Sequence, residues 1–317
     1  MVNSRQVEMS TSQAKKFTKS WKVSAQYTDP LSGVSATVFE SADGTKCLAV
    51  RGTELEEKDL LADGILVSPI PAMFNPQFSM LEFKLNAWLK DPDILQGQNF
   101  TVTGHSLGGY LAAAVKQSFP QVTEAYIFNA PGVWGLLGNL ADVISNDVDL
   151  NAIDQSKIWN LRGSEGLSII AGLGNQLGTS VTIQTEAAFN NHSIVLLTDA
   201  LAVYSAYSQL VPDQDIQDIS KLIDAFGSTQ DAGGSNVKTL ESALDALRNI
   251  LLNPDNGKIE LSMNYKTPSD KRDIFYENML AEAFQKKLAE STNGVELTLF
   301  SDLSTSDILS KVESNDQ

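Results

Sequence analysis

Residues 101–110, which read TVTGHSLGGY, contain residue types at a spacing that suits nucleophilic catalysis. Residues 104–108 fit the pattern G-x-S-x-G around Ser106. An apolar, β-branched run precedes the pattern and a helix-forming run follows it, which predicts a strand, a sharp turn and a helix. In such a turn the serine hydroxyl projects from a strained backbone, and the glycines remove side chains that would collide with neighbouring backbone. The pattern therefore predicts a nucleophile at Ser106, and the alternative is an ordinary tight turn.

The histidine count restricts which residue activates this serine. The chain has two histidines, His105 and His192, and His105 is fixed beside the serine within the turn. If Ser106 is activated by an imidazole, the base must therefore be His192. It lies downstream of the serine, which agrees with the chain order serine, acid, histidine of triads whose serine lies in a G-x-S-x-G motif. Without the serine motif, His192 would be interpreted as an ordinary core or surface residue.

Length, composition and charge narrow the classes of function. A chain of 317 residues with 42% hydrophobic content can bury one large core, or one core plus a smaller appendage, and predicts a globular enzyme. The net charge of −16 disfavours nucleic acid and anionic membranes as standing electrostatic partners. A neutral or interfacial substrate fits this charge better.

The chemistry of thiols and metals has little support in the sequence. The single cysteine, Cys47, excludes an intrachain disulfide and lies in an apolar, strand-like run, which favours a packed thiol over a cysteine nucleophile. A metal site of Cys/His type is unsupported, and we expect no cofactor. Glycine-rich calcium-binding repeats are absent, and the need for a calcium ion stays open.

Targeting signals are also lacking in the sequence. No stretch is long and apolar enough to span a bilayer, so stable transmembrane anchoring is not expected. Residues 1–17 lack the apolar core of a signal peptide. Export by a leaderless route and residence in the cytoplasm both stay open, and we favour the former.

The elements that must position Ser106 alternate between strands and helices. Residues 41–44 (SADG) predict a hairpin turn between two strands, and a segment with three prolines, at 69, 71 and 76, predicts a loop. A core-facing helix is predicted from Phe78 to the Asp91-Pro92 pair. This alternation indicates an α/β fold with a largely parallel sheet. The predicted strands cover residues 33–40, 45–51, 100–103, 124–129 and 158–161.

The C-terminal third has a different character. Residues 193–210 predict an apolar helix, and three charged, amphipathic runs follow, at 213–226, 236–252 and 270–291. We therefore predict a catalytic domain over residues 1–211 and a helix-rich extension over 212–317, packed on or beside it. The charge runs are interpreted as solvated faces, with a binding role as the alternative.

The sequence resembles the class 3 lipase family, a group of α/β-hydrolases best known from triacylglycerol lipases of filamentous fungi. The resemblance covers about residues 33–200 and rests on AVRGT, LLADG, TVTGHSLGGYLA and IFNAPGV in this order. It implies an α/β-hydrolase fold, with a mostly parallel central sheet flanked by helices. It also implies a serine hydrolase that acts on carboxylic esters, lipids among them.

The resemblance assigns roles to four positions around the turn. It makes Ser106 the nucleophile and Leu107 one backbone N–H donor of an oxyanion hole. Thr53, which ends the triplet R-G-T, is the second donor through its N–H, and its hydroxyl is a further candidate. Asp63 orients Thr53. Two preorganised donors aimed at a developing oxyanion are often the largest single contribution to catalysis of this kind.

The acid is where the sequence departs from the family pattern. The family usually has an aspartate in a short loop, whereas the equivalent residues 160–168 (NLRGSEGLS) offer Glu165. Glutamate also serves as the acid in α/β-hydrolase triads. We therefore favour Glu165, with Asp154 as the alternative.

Two hypotheses from different classes follow. The first is an ester hydrolase that works through an acyl-enzyme, most simply a lipase cleaving acylglycerols, with a phospholipase A1 or a short-chain carboxylesterase as variants of the same chemistry. The second is a non-catalytic hydrolase-fold binding module of a larger secreted protein. A serine, an oxyanion threonine and one downstream histidine favour the enzyme.

Overall fold

The central element of the structure is a sheet whose strands lie side by side in the order in which they occur in the chain. The computed structural model describes residues 9–51, 71–130, 155–163, 178–185, 194–211, 215–228, 240–252 and 268–292. Strands β1 to β3 pair antiparallel, and β3 to β6 pair in parallel. The predicted α/β class with a largely parallel sheet is confirmed. The strands among these residues are β1 (Trp21–Thr28), β2 (Ser35–Ser41), β3 (Lys46–Arg51), β4 (Phe100–His105), β5 (Val122–Phe128), β6 (Ile158–Gly163) and β7 (Thr179–Ile183).

Strands β2 and β3 form the hairpin that the Asp-Gly turn predicts. Gly44 has φ 86, a left-handed conformation that glycine adopts without steric cost. The carboxylate of Asp43 accepts hydrogen bonds from the Ser41 hydroxyl and from the Thr45 N–H. These bonds, that of Ser41 above all, lower the pKa of Asp43 to about 2. The turn is therefore fixed by its own side chains as well as by the strands.

One face of the sheet carries the main hydrophobic core. Alternate residues of β3 to β6 point to this face, and helices α2 (Pro71–Lys90) and α3 (Leu107–Ser118) contribute to the same core. Removing an aliphatic side chain of this kind from water contributes about 1.5–3 kcal/mol. The buried residues of this core include Leu48, Val50, Val102, Ala125, Ile127 and Ile158 from the strands, and Leu81, Leu85, Tyr110 and Leu111 from the helices.

The structure corrects the prediction of a loop over the part of the proline-containing segment that it describes, from Pro71 onwards; Pro69 lies outside the described residues. Helix α2 begins at Pro71 rather than at Phe78, and it contains Pro76. Proline is well tolerated at the first helical position, because the N–H there has no acceptor within the helix. Pro76 removes one interior hydrogen bond at a cost on the order of 3 kcal/mol. The apolar face that starts at Phe78 and includes the buried Leu81 and Leu85 offsets this cost.

Helices make up most of the other described residues. The predicted helices downstream of residue 193 are confirmed, except that the run at 270–291 forms two helices rather than one. Leu280 and Ala281 separate them. The sequence did not predict strands β1 and β7. The remaining helices are α1 (Thr11–Ser20), α4 (Ile194–Leu210), α5 (Ile216–Ser228), α6 (Leu240–Leu252), α7 (Pro268–Met279) and α8 (Glu282–Thr292).

The described residues fall into two compact units. One lies within residues 18–182 and 187–194 and contains nearly all of the sheet; the other lies within 1–17, 183–186 and 195–317 and is mainly helical. In the helical unit the buried Tyr207 hydroxyl donates to the Ala243 carbonyl at 2.9 Å, and burial raises the pKa of Tyr207. The predicted boundary at residue 212 stays a prediction. No helix among the described residues has the length and apolar character needed to cross a membrane.

Candidate active site

Ser106 occupies a strained turn between strand β4 and helix α3. Its backbone has φ 53 and ψ −124, a combination that non-glycine residues adopt rarely and at a cost of about 1–3 kcal/mol. The residue is half-buried. A serine before a helix normally caps it through its side-chain oxygen, but Ser106 makes no such side-chain cap bond. Capping of helix α3 therefore does not explain the strained backbone of Ser106.

Backbone hydrogen bonds hold this turn on both sides. The Ser106 N–H donates to the Phe128 carbonyl at the end of β5, at 2.9 Å. The Ser106 carbonyl accepts from the N–H groups of Gly109 and Tyr110, at 3.0 and 3.2 Å. The turn is thus anchored to the neighbouring strand and to the first turn of α3. These bonds supply the surrounding order that a strained residue requires.

The glycines of the motif allow backbone segments to approach each other. A Cβ on Gly104 would lie 2.2 Å from the Gly108 carbonyl oxygen, and a Cβ on Gly108 would lie 2.3 Å from the Val50 carbonyl oxygen. A Cβ on Gly109 would lie 2.9 Å from the Gly104 oxygen and from the Ala130 Cβ. Side chains at 104 and 108 are therefore excluded by backbone rather than by movable groups. The same contacts place the start of α3 against the end of β3.

Leu107 contributes its backbone to the same turn. It is the first residue of α3, and its half-buried side chain packs against the core. Among the described residues, none accepts a hydrogen bond from its N–H. The first N–H groups of a helix lack acceptors within the helix and favour nearby negative charge.

Strand β4, the turn at Ser106 and helix α3 have the geometry of a nucleophile elbow, a sharp and strained turn between a strand and a helix with a serine at its tip. We refer to this turn as the elbow.

Fungal lipases are among the solved structures to which the chain is similar. Lipase II from Rhizopus niveus is 18% identical over 56% of this chain and 72% of its own, with a TM-score of 0.35. A triacylglycerol lipase from Penicillium expansum is 16% identical over 56% of this chain and 77% of its own, with a TM-score of 0.36.

A lipase from Rhizopus microsporus var. chinensis has the same 16% identity and a TM-score of 0.36, over 56% of this chain and 66% of its own. No protein-family model matches the sequence, and no curated protein matches it either. The α/β architecture rests on the chain's own largely parallel sheet and its flanking helices.

Of the predicted site residues, the structure describes Ser106 and Leu107 and brings them together in the elbow. The other four lie outside the described residues, as does Asp154, and their assignments stay predictions. Two of them come shortly after the ends of described strands in the chain. Thr53 comes two residues after the end of β3, and Glu165 comes two residues after the end of β6. Asp63 and His192 complete the set.

The structure singles out Asn129, which the sequence analysis did not. It follows β5, is fully buried, and has φ 45. Its N–H donates to the Leu161 carbonyl at 2.9 Å, and its Oδ1 accepts from the Gly163 N–H at 3.0 Å. The signal in the sequence is an asparagine directly after a strand and before Ala-Pro-Gly, because asparagine tolerates left-handed backbone better than most residues.

The environment of Cys47 disfavours nucleophilic chemistry. The residue lies in β3, and its pKa is raised by burial, against a smaller lowering by a hydrogen bond with Thr101. A raised pKa leaves little of the reactive thiolate near neutral pH. Among the described residues, no group of three or more histidine, cysteine, aspartate or glutamate side chains is placed to hold a metal ion.

Proposed function

We propose that the protein is a serine carboxylic-ester hydrolase that works through an acyl-enzyme. The observation that carries this proposal is the backbone of Ser106, whose strained φ and ψ between β4 and α3 present the side chain at a turn rather than in a cap. In the proposed reaction, the Ser106 hydroxyl attacks the ester carbonyl. His192 takes the hydroxyl proton and returns it to the leaving alcohol, and Glu165 holds the imidazole. Water then releases the acid in the second half of the cycle.

The proposed oxyanion hole combines the N–H groups of Leu107 and Thr53. Leu107 supports it because none of the described residues accepts from its N–H, at the positive end of a 12-residue helix. Thr53 is supported by the approach of Gly108 to Val50, which brings the end of β3 against the elbow. Strand β3 ends two residues before Thr53 in the chain. We propose that both N–H groups donate to an oxygen held close to the serine.

Within ester hydrolysis we propose a lipase, with acylglycerols or similar esters at an interface as substrates. The solved structures to which the chain is similar include lipases, one of them a triacylglycerol lipase. A net charge of −16 suits a neutral ester better than an anionic one. A phospholipase A1 and a short-chain carboxylesterase use the same machinery and differ in the substrate.

A substrate series tests this proposal. We expect the wild type to hydrolyse p-nitrophenyl butyrate, p-nitrophenyl palmitate in detergent micelles and an emulsified triacylglycerol, with kcat/KM highest for the long chain. Ser106→Ala should hydrolyse none of them. Activity on the butyrate alone would indicate a carboxylesterase, and fatty-acid release from phosphatidylcholine vesicles would indicate a phospholipase. No hydrolysis of any ester by the wild type would contradict the proposal.

Thr53 is predicted to act through its hydroxyl as well as through its N–H. Thr53→Ser should therefore be mild, whereas Thr53→Val, which keeps the shape but removes the hydroxyl, should lower kcat on the order of 100-fold. The loss should fall on kcat more than on KM, because the bond strengthens in the transition state. Asp63→Asn should show a smaller loss of the same kind. If Thr53→Val retained the wild-type kcat, the hydroxyl of Thr53 would have no role in catalysis.

Glu165 is predicted to be the acid that stabilises the imidazolium. Glu165→Gln keeps the size of the side chain and removes its charge, so we expect kcat to fall on the order of 10³–10⁴-fold. Asp154→Asn and Asp199→Asn are the matched controls and should lose less than about tenfold. Asp199 lies in α4, after His192 in the chain, where the order serine, acid, histidine does not place the acid. Steady-state hydrolysis of p-nitrophenyl butyrate measures the ranking. A reversed ranking would transfer the role to the aspartate that responds.

A further inference from the structure

Asn129 combines an unusual backbone conformation with a long-range side-chain bond. A φ of 45 explains why a residue tolerant of left-handed backbone lies here, but glycine would satisfy that requirement without a side chain. The amide makes a second contribution, because its Oδ1 accepts the Gly163 N–H, 34 positions further along the chain, at 3.0 Å. The side chain is fully buried, so water does not compete for this bond.

The hydrogen bond from the Gly163 N–H to Asn129 Oδ1 lies between the turn of Ser106 and the end of β6. Phe128 holds the turn of Ser106, because its carbonyl accepts the Ser106 N–H at 2.9 Å. The next residue, Asn129, holds β6 twice, through its N–H to the Leu161 carbonyl and through its Oδ1 to the Gly163 N–H. Two consecutive residues thus connect the elbow to the point where the chain leaves β6.

We propose that Asn129 is a positioning residue for the acid of the triad. It fixes the last residue of β6, and Glu165 follows that residue by two positions. The side-chain bond continues the parallel pairing of β5 and β6 past Phe128 and Leu161, the last pair of their ladder. The direction in which the chain leaves β6 is then set relative to Ser106. This inference rests on the proposed function.

The expected size of the effect follows from the geometry that a triad requires. The acid must hold the imidazole within hydrogen-bond distance, and a displacement of about 1 Å in such a group costs on the order of 100-fold in rate. Loss of the hydrogen bond from the Gly163 N–H to Asn129 Oδ1 removes one contact that holds the end of β6, but it removes no group that takes part in the reaction. We therefore expect a loss smaller than that of Glu165→Gln.

Asn129→Gly tests the role of the amide, because glycine keeps φ accessible and removes only the side chain. We expect kcat/KM for p-nitrophenyl butyrate to fall about 10- to 100-fold, mostly in kcat. The acidic limb of its pH profile should move to lower pH, since a less well held imidazolium loses its proton more readily. Asn86→Gly, at an exposed position of α2, is the matched control and should leave both kcat/KM and the pH profile unchanged.

A double-mutant cycle with Glu165→Gln separates positioning of the acid from general damage. If Asn129 acts through Glu165, adding Asn129→Gly to Glu165→Gln should change kcat/KM by less than about threefold. Additive losses would overturn the inference while leaving the proposed function intact. A wild type without esterase activity would instead refute the proposed function itself.

A second variant covers the case in which Asn129→Gly fails to fold, as judged by circular dichroism and gel filtration. Asn129→Asp tolerates the same backbone and keeps an acceptor oxygen for the Gly163 N–H. We expect it to stay within about tenfold of wild-type kcat/KM, with the acidic limb in place, because the anchor is retained. A folded Asn129→Asp protein as inactive as Glu165→Gln would overturn the inference.

Discussion

Ser106→Ala and His192→Ala should each lower kcat for ester hydrolysis on the order of 10⁴-fold or more, with the fold intact. Both residues act on the same proton-transfer step, so the double variant should lose little more than either single variant. The measurement is steady-state hydrolysis of p-nitrophenyl butyrate with each protein, combined with circular dichroism to verify the fold. Ser205→Ala, an exposed serine of α4, is the control and should retain wild-type kcat.

The histidine variant is the stricter half of this prediction. The chain has one other histidine, His105, and the structure places it at the end of β4, directly before Ser106. If His192→Ala retained most of the wild-type rate, the proposed triad would be wrong. Additive losses in the double variant would indicate that the two residues act on different steps.

Gly108→Ala should lower both stability and activity, because the new Cβ would lie 2.3 Å from the Val50 carbonyl oxygen. Backbone cannot move aside as a flexible side chain can, so we expect a loss of about 3 kcal/mol or more in the free energy of unfolding. The shift of α3 away from β3 would also displace the Leu107 N–H. Hydrolysis per folded molecule should then fall on the order of 100-fold.

Gly97→Ala is the matched control for this variant. Gly97 has φ 69, but a Cβ there would meet no atom within 4 Å. Its cost is therefore that of left-handed backbone alone, about 1–2 kcal/mol, with no effect on hydrolysis. Urea unfolding by linear extrapolation gives both free energies. Equal losses for Gly97→Ala and Gly108→Ala would show that close packing at the elbow is unimportant.

The features that the sequence predicts are those with a local pattern. The Asp-Gly turn predicts the hairpin of β2 and β3, and the spacing of Leu81 and Leu85 predicts the core-facing part of α2. G-x-S-x-G with its flanking runs predicts the elbow, because each glycine is required by contacts within or next to the motif. The strained φ of Ser106 confirms the local geometry, while the triad that it implies stays a prediction.

The features that the sequence misses depend on distant contacts or on competing local effects. Helix α2 extends back to Pro71 because the first helical position tolerates proline, so the proline count alone is misleading. Strand β1 differs from these cases, because apolar residues at 21, 23, 25 and 27 alternate with polar ones, so its signal is present in the sequence, and its pairing with β2 extends the sheet. The neighbours of Asn129 signal its left-handed backbone but not its side-chain bond, because the partner, Gly163, lies in another strand.

Labelling with a fluorophosphonate, followed by peptide mass spectrometry, shows directly whether Ser106 is the nucleophile. The phosphorus forms a bond to the oxygen of an activated serine and fluoride leaves, so the adduct marks the nucleophile without any choice of substrate. We expect one adduct on Ser106 in the wild type, none in Ser106→Ala, and labelling slowed on the order of 10³-fold in His192→Ala. An unlabelled wild type, or an adduct on a residue other than Ser106, would contradict this assignment.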